Sequence, residues 1–164
     1  MNADDLQFLR QRWQVPDTQT VAVGRTDIPG LEGVTFEAGS PRVRTEANLK
    51  PWAQDPLLYE SDIQSPPNIS SLGRNHAEGG VLAQLDLAIK RSGIDPSREG
   101  TVHVIQSNKA GVCTNCRAGL GGNPNVADGP IKQFSLKYPN ITIIIETAGD
   151  PMGDLVVRNG IRLI

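Results

Sequence analysis

The period of the apolar positions changes several times along the chain, and each change marks an element. Between Asp4 and Trp13, the apolar residues Leu6, Phe8, Leu9 and Trp13 suit a short amphipathic helix, which Val15-Pro16 stops. Thr20 to Arg25 is rich in β-formers and reads as a strand. A turn at Ile28-Pro29-Gly30 then leads to a second short strand, Gly33 to Glu37, so the pair forms a hairpin with a loose connection. From Gly39 to Gly73 the pattern lapses. Pro41, Pro51, Pro56, Pro66 and Pro67 remove backbone donors and fix φ, so the reading is irregular chain over the surface, with one helical turn at Pro56 to Tyr59.

Helical spacing returns at Val81, Leu82, Leu85, Ala88 and Ile89, with Asn75 as a plausible N-cap and Ser92-Gly93 as the stop. Thr101 to Gln106 reads as a strand, Cys113 to Leu120 as a short helix ended by Gly121-Gly122, and Asn123 to Gly129 as a loop. Pro130 to Tyr138 is a helix with Pro at its first position. Four isoleucines within Ile141 to Ile145 predict a strand, Ile141 to Thr147, buried on both faces. Leu155 to Val157 and Ile161 to Ile164 flank Asn159-Gly160 and form either one bent strand or a tight hairpin. The connection 148–153 is too short for a helical crossover, so the last two strands should pair antiparallel. The order of elements predicts an α/β layered domain with a mixed sheet.

Composition narrows the classes. The 164 residues suffice for one domain with its own core, and no apolar run approaches the roughly 20 residues of a membrane span. Met1 to Arg12 is too polar for a signal peptide. The formal net charge of −2 excludes a highly basic nucleic-acid-coating protein. That charge is unevenly spread: residues 1–70 hold 6 basic and 10 acidic groups, residues 71–164 hold 10 and 8. The second, mildly basic part also contains both cysteines and both histidines.

Two motifs there carry candidate chemistry: His76-Ala77-Glu78 at the start of one helix and Cys113-x-x-Cys116 at the start of another. A catalytic zinc takes three protein ligands and leaves a fourth position for water, and one imidazole with two thiolates would supply three. Glu78 would stay unligated as a proton shuttle. Helix N-termini suit this arrangement, because their free N–H groups and dipole stabilise thiolates and other negative charge. His76 and Glu78 do not share a helix face at that spacing, so the motif works only at a helix end. A Cys-x-x-Cys also marks redox sites and closed structural zinc sites, and His103 is the candidate fourth ligand for the latter. Set between Val102 and Val104, His103 should face opposite to both, as a sheet-surface histidine.

His-x-Glu followed by Cys-x-x-Cys, each opening a helix, is the zinc nucleobase deaminase signature. From about Thr20 onward the chain resembles the cytidine deaminase-like superfamily. The stretches Val-Ala-Val-Gly-Arg-Thr-Asp-Ile-Pro-Gly-Leu-Glu-Gly and Asn-His-Ala-Glu-Gly resemble its bacterial polymorphic toxin branch, and more narrowly the interbacterial single-stranded-DNA cytosine deaminase toxins. Val112 departs from the many members that carry Pro before the first Cys. The resemblance implies a three-layer domain with a mixed five-stranded sheet over 17–164, preceded by a helix or linker at 1–16. It implies Zn2+ held by His76, Cys113 and Cys116, with Glu78 as general acid/base and the Ala77 backbone N–H on the base carbonyl. The implied reaction is hydrolytic: water adds at C4 of cytosine, Glu78 relays a proton to the ring nitrogen, and ammonia leaves. It further implies a secreted effector acting in the cytoplasm of a target bacterium on single-stranded DNA. Such a domain would be monomeric apart from a cognate immunity protein and have no membrane role. The alternatives are a toxin deaminase acting on RNA or free nucleotides, or a non-catalytic zinc-stabilised binding domain.

Other residues have two readings each. Phe36, Trp52 and Tyr59 suit either base stacking or the core, and with so few aromatics the core takes most of them. Lys132, Lys137, Arg117 and Arg74 suit either phosphate contact or solvation. Lys90-Arg91 complements a helix dipole.

Overall fold

Alternation decides which face of the sheet each side chain serves. In β1 (Val21–Thr26), Val21 and Val23 pack on one side with Leu6 and Leu9 of helix α1 (Ala3–Trp13), while Ala22 joins the larger core on the other. The computed structural model describes residues 3–14, 20–39, 61, 63, 77–107, 119–121, 128–148 and 154–164. The expected segment 39–73 lies almost wholly outside them, as do Asn75, the Cys113 to Leu120 helix up to residue 118, and loop residues 122–127.

The remaining elements are β2 (Phe36–Gly39), α2 (Ala77–Arg91), β3 (Gly100–Gln106), α3 (Pro130–Lys137), β4 (Ile141–Thr147), β5 (Leu155–Arg158) and β6 (Ile161–Arg162). They form one mixed sheet in the order β2-β1-β3-β4-β5-β6. Among neighbouring strands of the described sheet, β3 and β4 are the parallel pair, and their connection is a long crossover that contains α3. The β4–β5 pair is antiparallel, as the short connection requires.

The sheet has six strands where five were expected, because the chain after Leu155 folds back on itself. Asn159 (φ 50) and Gly160 (φ 73) make the left-handed pair that a two-residue hairpin demands, so β5 and β6 are separate antiparallel strands. The hairpin tip is fastened to α3: Gly160 N–H donates to Ser135 Oγ at 2.8 Å, and a Cβ at Gly160 would stand 2.6 Å from Leu136 Cδ2.

Helices cover both faces. α2 and α3 pack on Ala22, Val102, Val104, Ile143, Ile145 and Val157, all fully buried. Here Val81, Leu82, Leu85 and Ile89 fill the positions that their helical spacing predicts. α2 ends in a Schellman motif, with Ile94 N–H on Ile89 O, Gly93 N–H on Lys90 O, and Gly93 at φ 66. α1 covers the opposite face over β1 and β3 only. Two expectations change for that reason. Phe8 points outward, 69% exposed, since Leu6 and Leu9 already form the buried stripe of a short helix. β4 is not buried on both faces: Ile141, Ile143, Ile145 and Thr147 are buried, whereas Thr142, Ile144 and Glu146 are half-buried beyond the reach of α1.

Candidate active site at the carboxyl edge of the sheet

The direction of α2 follows from its contacts. Val81, near its start, packs over Gly24, where an added Cβ would lie 2.5 Å from Val81 Cγ1. Asp86 is bonded to Tyr138, which stands three residues before β4 begins, and the Schellman turn leads from α2 to the start of β3. α2 therefore runs against β3 and β4, and its N-terminus lies at the carboxyl ends of the parallel pair. α3 runs the same way, since Tyr138 connects it to Ile141 in a single turn. Two helix N-termini thus gather at the edge where open α/β sheets bind ligands, and their orphan N–H groups favour negative charge there.

Glu78 occupies the first turn of α2 and is 2% exposed, and Ala77 before it is fully buried. A carboxylate so deeply buried must be engaged or used, because an isolated charge out of water is costly. His76 directly precedes this helix in sequence, but His76, Cys113 and Cys116 lie outside the described residues. Among the described residues, no group of three or more His, Cys, Asp or Glu side chains is placed to hold a metal ion. The donors proposed for zinc are not in that set, and their chemistry, one imidazole and two thiolates, matches what zinc takes.

The chain re-enters the described structure at Gly119, with φ 86, beside the start of α3. Lys132 Nζ donates to Gly119 O at 3.1 Å and pairs with Asp128 at 3.2 Å, and a Cβ on Gly119 would stand 2.7 Å from Asp128 Oδ1. The exit from the Cys-x-x-Cys segment is thereby pinned to α3.

Of the cations open to a phosphate role, Lys132 is committed to this pin and Lys137 to Asp86 at 2.6 Å, while Arg74 and Arg117 lie outside the described residues. Phe36 is in the core at 4% exposure, and Trp52 and Tyr59 are outside the described residues. Lys90 and Arg91 occupy the last turn of α2.

His103 faces the α1 side of the sheet, opposite to Val102 and Val104, with Nε2 2.8 Å from Glu146 Oε1 but out of line for a hydrogen bond. α2, which His76 immediately precedes, packs on the other face.

Two polar groupings were not singled out from the sequence. Gln106 and Thr147, the last residues of β3 and β4, are 0% and 4% exposed, and Gln106 Nε2 donates to Thr147 Oγ1 at 3.0 Å. Their signal was available, since Gln106 continues the inward phase of Val102 and Val104. Farther along α2, fully buried Asp86 accepts hydrogen bonds from Ser61 Oγ (2.8 Å), Lys137 Nζ (2.6 Å) and Tyr138 OH (2.5 Å). Burial pushes this carboxyl up, but the three donors and the Lys137 charge outweigh it and hold the group below its ordinary value.

The chain matches no family model and no solved structure. It is similar to a 3-phosphoshikimate 1-carboxyvinyltransferase of Hydrogenovibrio crunogenus, with 34% identity over 80 residues. That stretch is 49% of this chain and 18% of the transferase, so the chain spans less than a fifth of that relative's length.

Proposed function

We propose that this chain is a zinc-dependent cytosine deaminase of the polymorphic toxin kind, converting C to U in single-stranded DNA. The observation that carries the reading is Glu78: a carboxylate 2% exposed, in the first turn of a helix that starts at the carboxyl edge of a parallel strand pair. It follows His76 by two residues, and the chain emerges from that same edge after β3 to supply Cys113 and Cys116. Helices on both faces of a mixed sheet suit the cytidine deaminase-like fold, with the C-terminal hairpin as an added strand. The polymer, the target bacterium and the immunity protein rest on the resemblance of the residues.

On this reading His76, Cys113 and Cys116 hold Zn2+. When bound, zinc lowers the pKa of a coordinated water toward roughly 7 and so supplies a nucleophile at neutral pH. Glu78 accepts the proton of the attacking water and delivers it to the ring nitrogen, and the exocyclic amine leaves as ammonia. Burial keeps bulk water from competing for that proton. The backbone N–H of Ala77, among the orphan donors of the first turn of α2, holds the base carbonyl.

The test incubates the purified chain with single-stranded DNA, duplex DNA, RNA and free cytidine, beside Glu78→Ala. Uracil should form in single-stranded DNA with the wild type, stop on zinc removal, and be absent with Glu78→Ala, which should still bind zinc. Equal uracil from the variant would refute the role of Glu78. Product in RNA or cytidine alone would replace the substrate. A zinc-binding chain that deaminates none of the four would be the binding domain.

A further inference from the structure

The C-terminal hairpin carries apolar side chains on both sides of an open edge. β6 is the outermost strand of the described sheet, and Ile161, Leu163, Ile164 and the nearby Leu136 are all exposed. Among the described residues only two other large hydrophobic side chains, Phe8 and Val34, are exposed. Val157 faces the helices and pairs with Arg162, so Arg162 and Ile164 lie on the helix side, with Ile161 and Leu163 on the other. On that second side the apolar strip continues inward. Leu163 N–H donates to Val156 O, and Val156 pairs with Ile144. Both are half-buried, because α1 reaches only β1 and β3. An edge strand is normally defended by charges, proline or a bulge, whereas β6 is built like an inner strand with a single charge, Arg162.

The backbone of β6 is satisfied on one side. Leu163 N–H turns toward β5, so the pleat turns Arg162 N–H and C=O away from it. An extended segment laid beside β6 would take up those groups, and its alternate side chains would cover Ile161 and Leu163. Charge selects its chemistry. Arg158 Nη1 donates to Thr142 Oγ1 and Arg162 Nε to Ile164 O, and neither guanidinium has a carboxylate partner among the described residues. A second copy of the chain is poorly matched here. Two β6 strands related by a twofold axis normal to the sheet pair residues of like face. The register that matches Ile161 with Leu163 then sets one Arg162 against the other, which is destabilising.

We propose that β6 is a docking edge for an extended segment of another polypeptide, one with an acidic residue between two apolar ones. Run antiparallel to β6, its acid would stand opposite Arg162 and its apolar neighbours opposite Ile161 and Leu163. The proposal is independent of the deaminase reading, because no group of the proposed centre enters it.

The probe is the capped peptide Thr-Val-Glu-Val-Thr, titrated into the full chain and followed by amide exchange. It should slow exchange at Arg162 N–H, with Leu163 N–H, already bonded within the hairpin, as the reference. The peptide Thr-Val-Lys-Val-Thr should bind ~3–10-fold more weakly, through the sign of one cross-strand pair. Arg162→Glu should reverse that preference. If Arg162→Glu does not fold, the contrast between the two peptides on the wild type decides the matter. Equal binding of the two peptides, protection confined to sites outside β6, or no binding up to millimolar peptide would overturn the proposal. So would a concentration-dependent dimer of the chain alone that protects Arg162 N–H, because a second copy would then be the occupant.

Discussion

Glu78 and Asp86 are acids buried on the same helix about two turns apart, at 2% and 0% exposure. Their surroundings differ. Asp86 lies where α2 meets the end of α3, away from the carboxyl edge, and receives a hydroxyl, an ammonium and a phenol from distant parts of the chain. Phe134 stacks on Tyr138 at 4.8 Å, and Lys137 lies 5.4 Å from the centre of the Tyr138 ring, so the donors are themselves held. Glu78 lies at the opposite end of the helix, at the carboxyl edge of the parallel pair. Burial alone thus does not tell a structural acid from a working one. On the proposed reading, position relative to the carboxyl edge does.

The largest expected effect separates the two. Glu78→Gln should cut uracil formation by ~10²–10⁴-fold, the usual worth of a general acid/base. The amide keeps the shape of the carboxylate, so its unfolding free energy should fall by less than that of Asp86→Ala. If this variant instead loses stability like an Asp86 variant, the distinction collapses.

Asp86→Ala should cost about 2–3 kcal/mol in urea unfolding. Removing one partner of a buried pair typically costs more, but Lys137 is 26% exposed and can turn to water. The same carboxyl sets a pH dependence. Because its folded-state pKa lies below the ordinary 3.8, its contribution is complete above that value and is lost as pH falls through the folded-state pKa. Urea midpoints of wild type and Asp86→Asn should differ by a constant amount near neutrality and converge below pH 3.8. A gap that persists there would mean that the ionised form of Asp86 is not what stabilises the fold.

Gly24→Ala tests the join between the two ends of the helix. Its Cβ would overlap Val81, one turn from Glu78, and overpacking of this kind costs about 1–3 kcal/mol. Turnover per folded molecule should fall as well, because the displaced turn carries Glu78; unchanged turnover would show that the seat of α2 does not set the site. The smallest effect belongs to Gly160→Ala. A Cβ in left-handed backbone against Leu136 should cost about 1–2 kcal/mol, with turnover per folded molecule preserved.

What was legible in the sequence was what local chemistry controls. The spacing of Val81, Leu82, Leu85 and Ile89 gives the buried stripe of α2, Pro130 opens α3, and the short connection after Thr147 makes β4–β5 antiparallel. His103 faces away from its valine neighbours, as alternation demands. The Asp86 cluster was not legible, because its partners Ser61, Lys137 and Tyr138 stand 25, 51 and 52 residues away. The isoleucine run of β4 misled because a helix as short as α1 covers only part of a face. Lys132 and Lys137 have the same local signature whether they meet phosphate or the protein's own oxygens. Of the proposed site, the sequence carried all five residues, His76, Ala77, Glu78, Cys113 and Cys116, and the described structure contains Ala77 and Glu78.

The register between β1 and β3 has a kinetic consequence. It joins Ala22 to Gln106 and Thr26 to Val102, residues about eighty apart, with all of α2 in the intervening loop. Closing so long a loop precedes any reward from the contacts it makes, so the centre of the sheet should form late and slowly. Until it forms, Glu78 and Gln106 share no common edge. A chain still being synthesised would therefore lack the proposed centre until β4 has emerged to pair with β3. Its inactivity up to that moment would come from topology, before any inhibitor is needed.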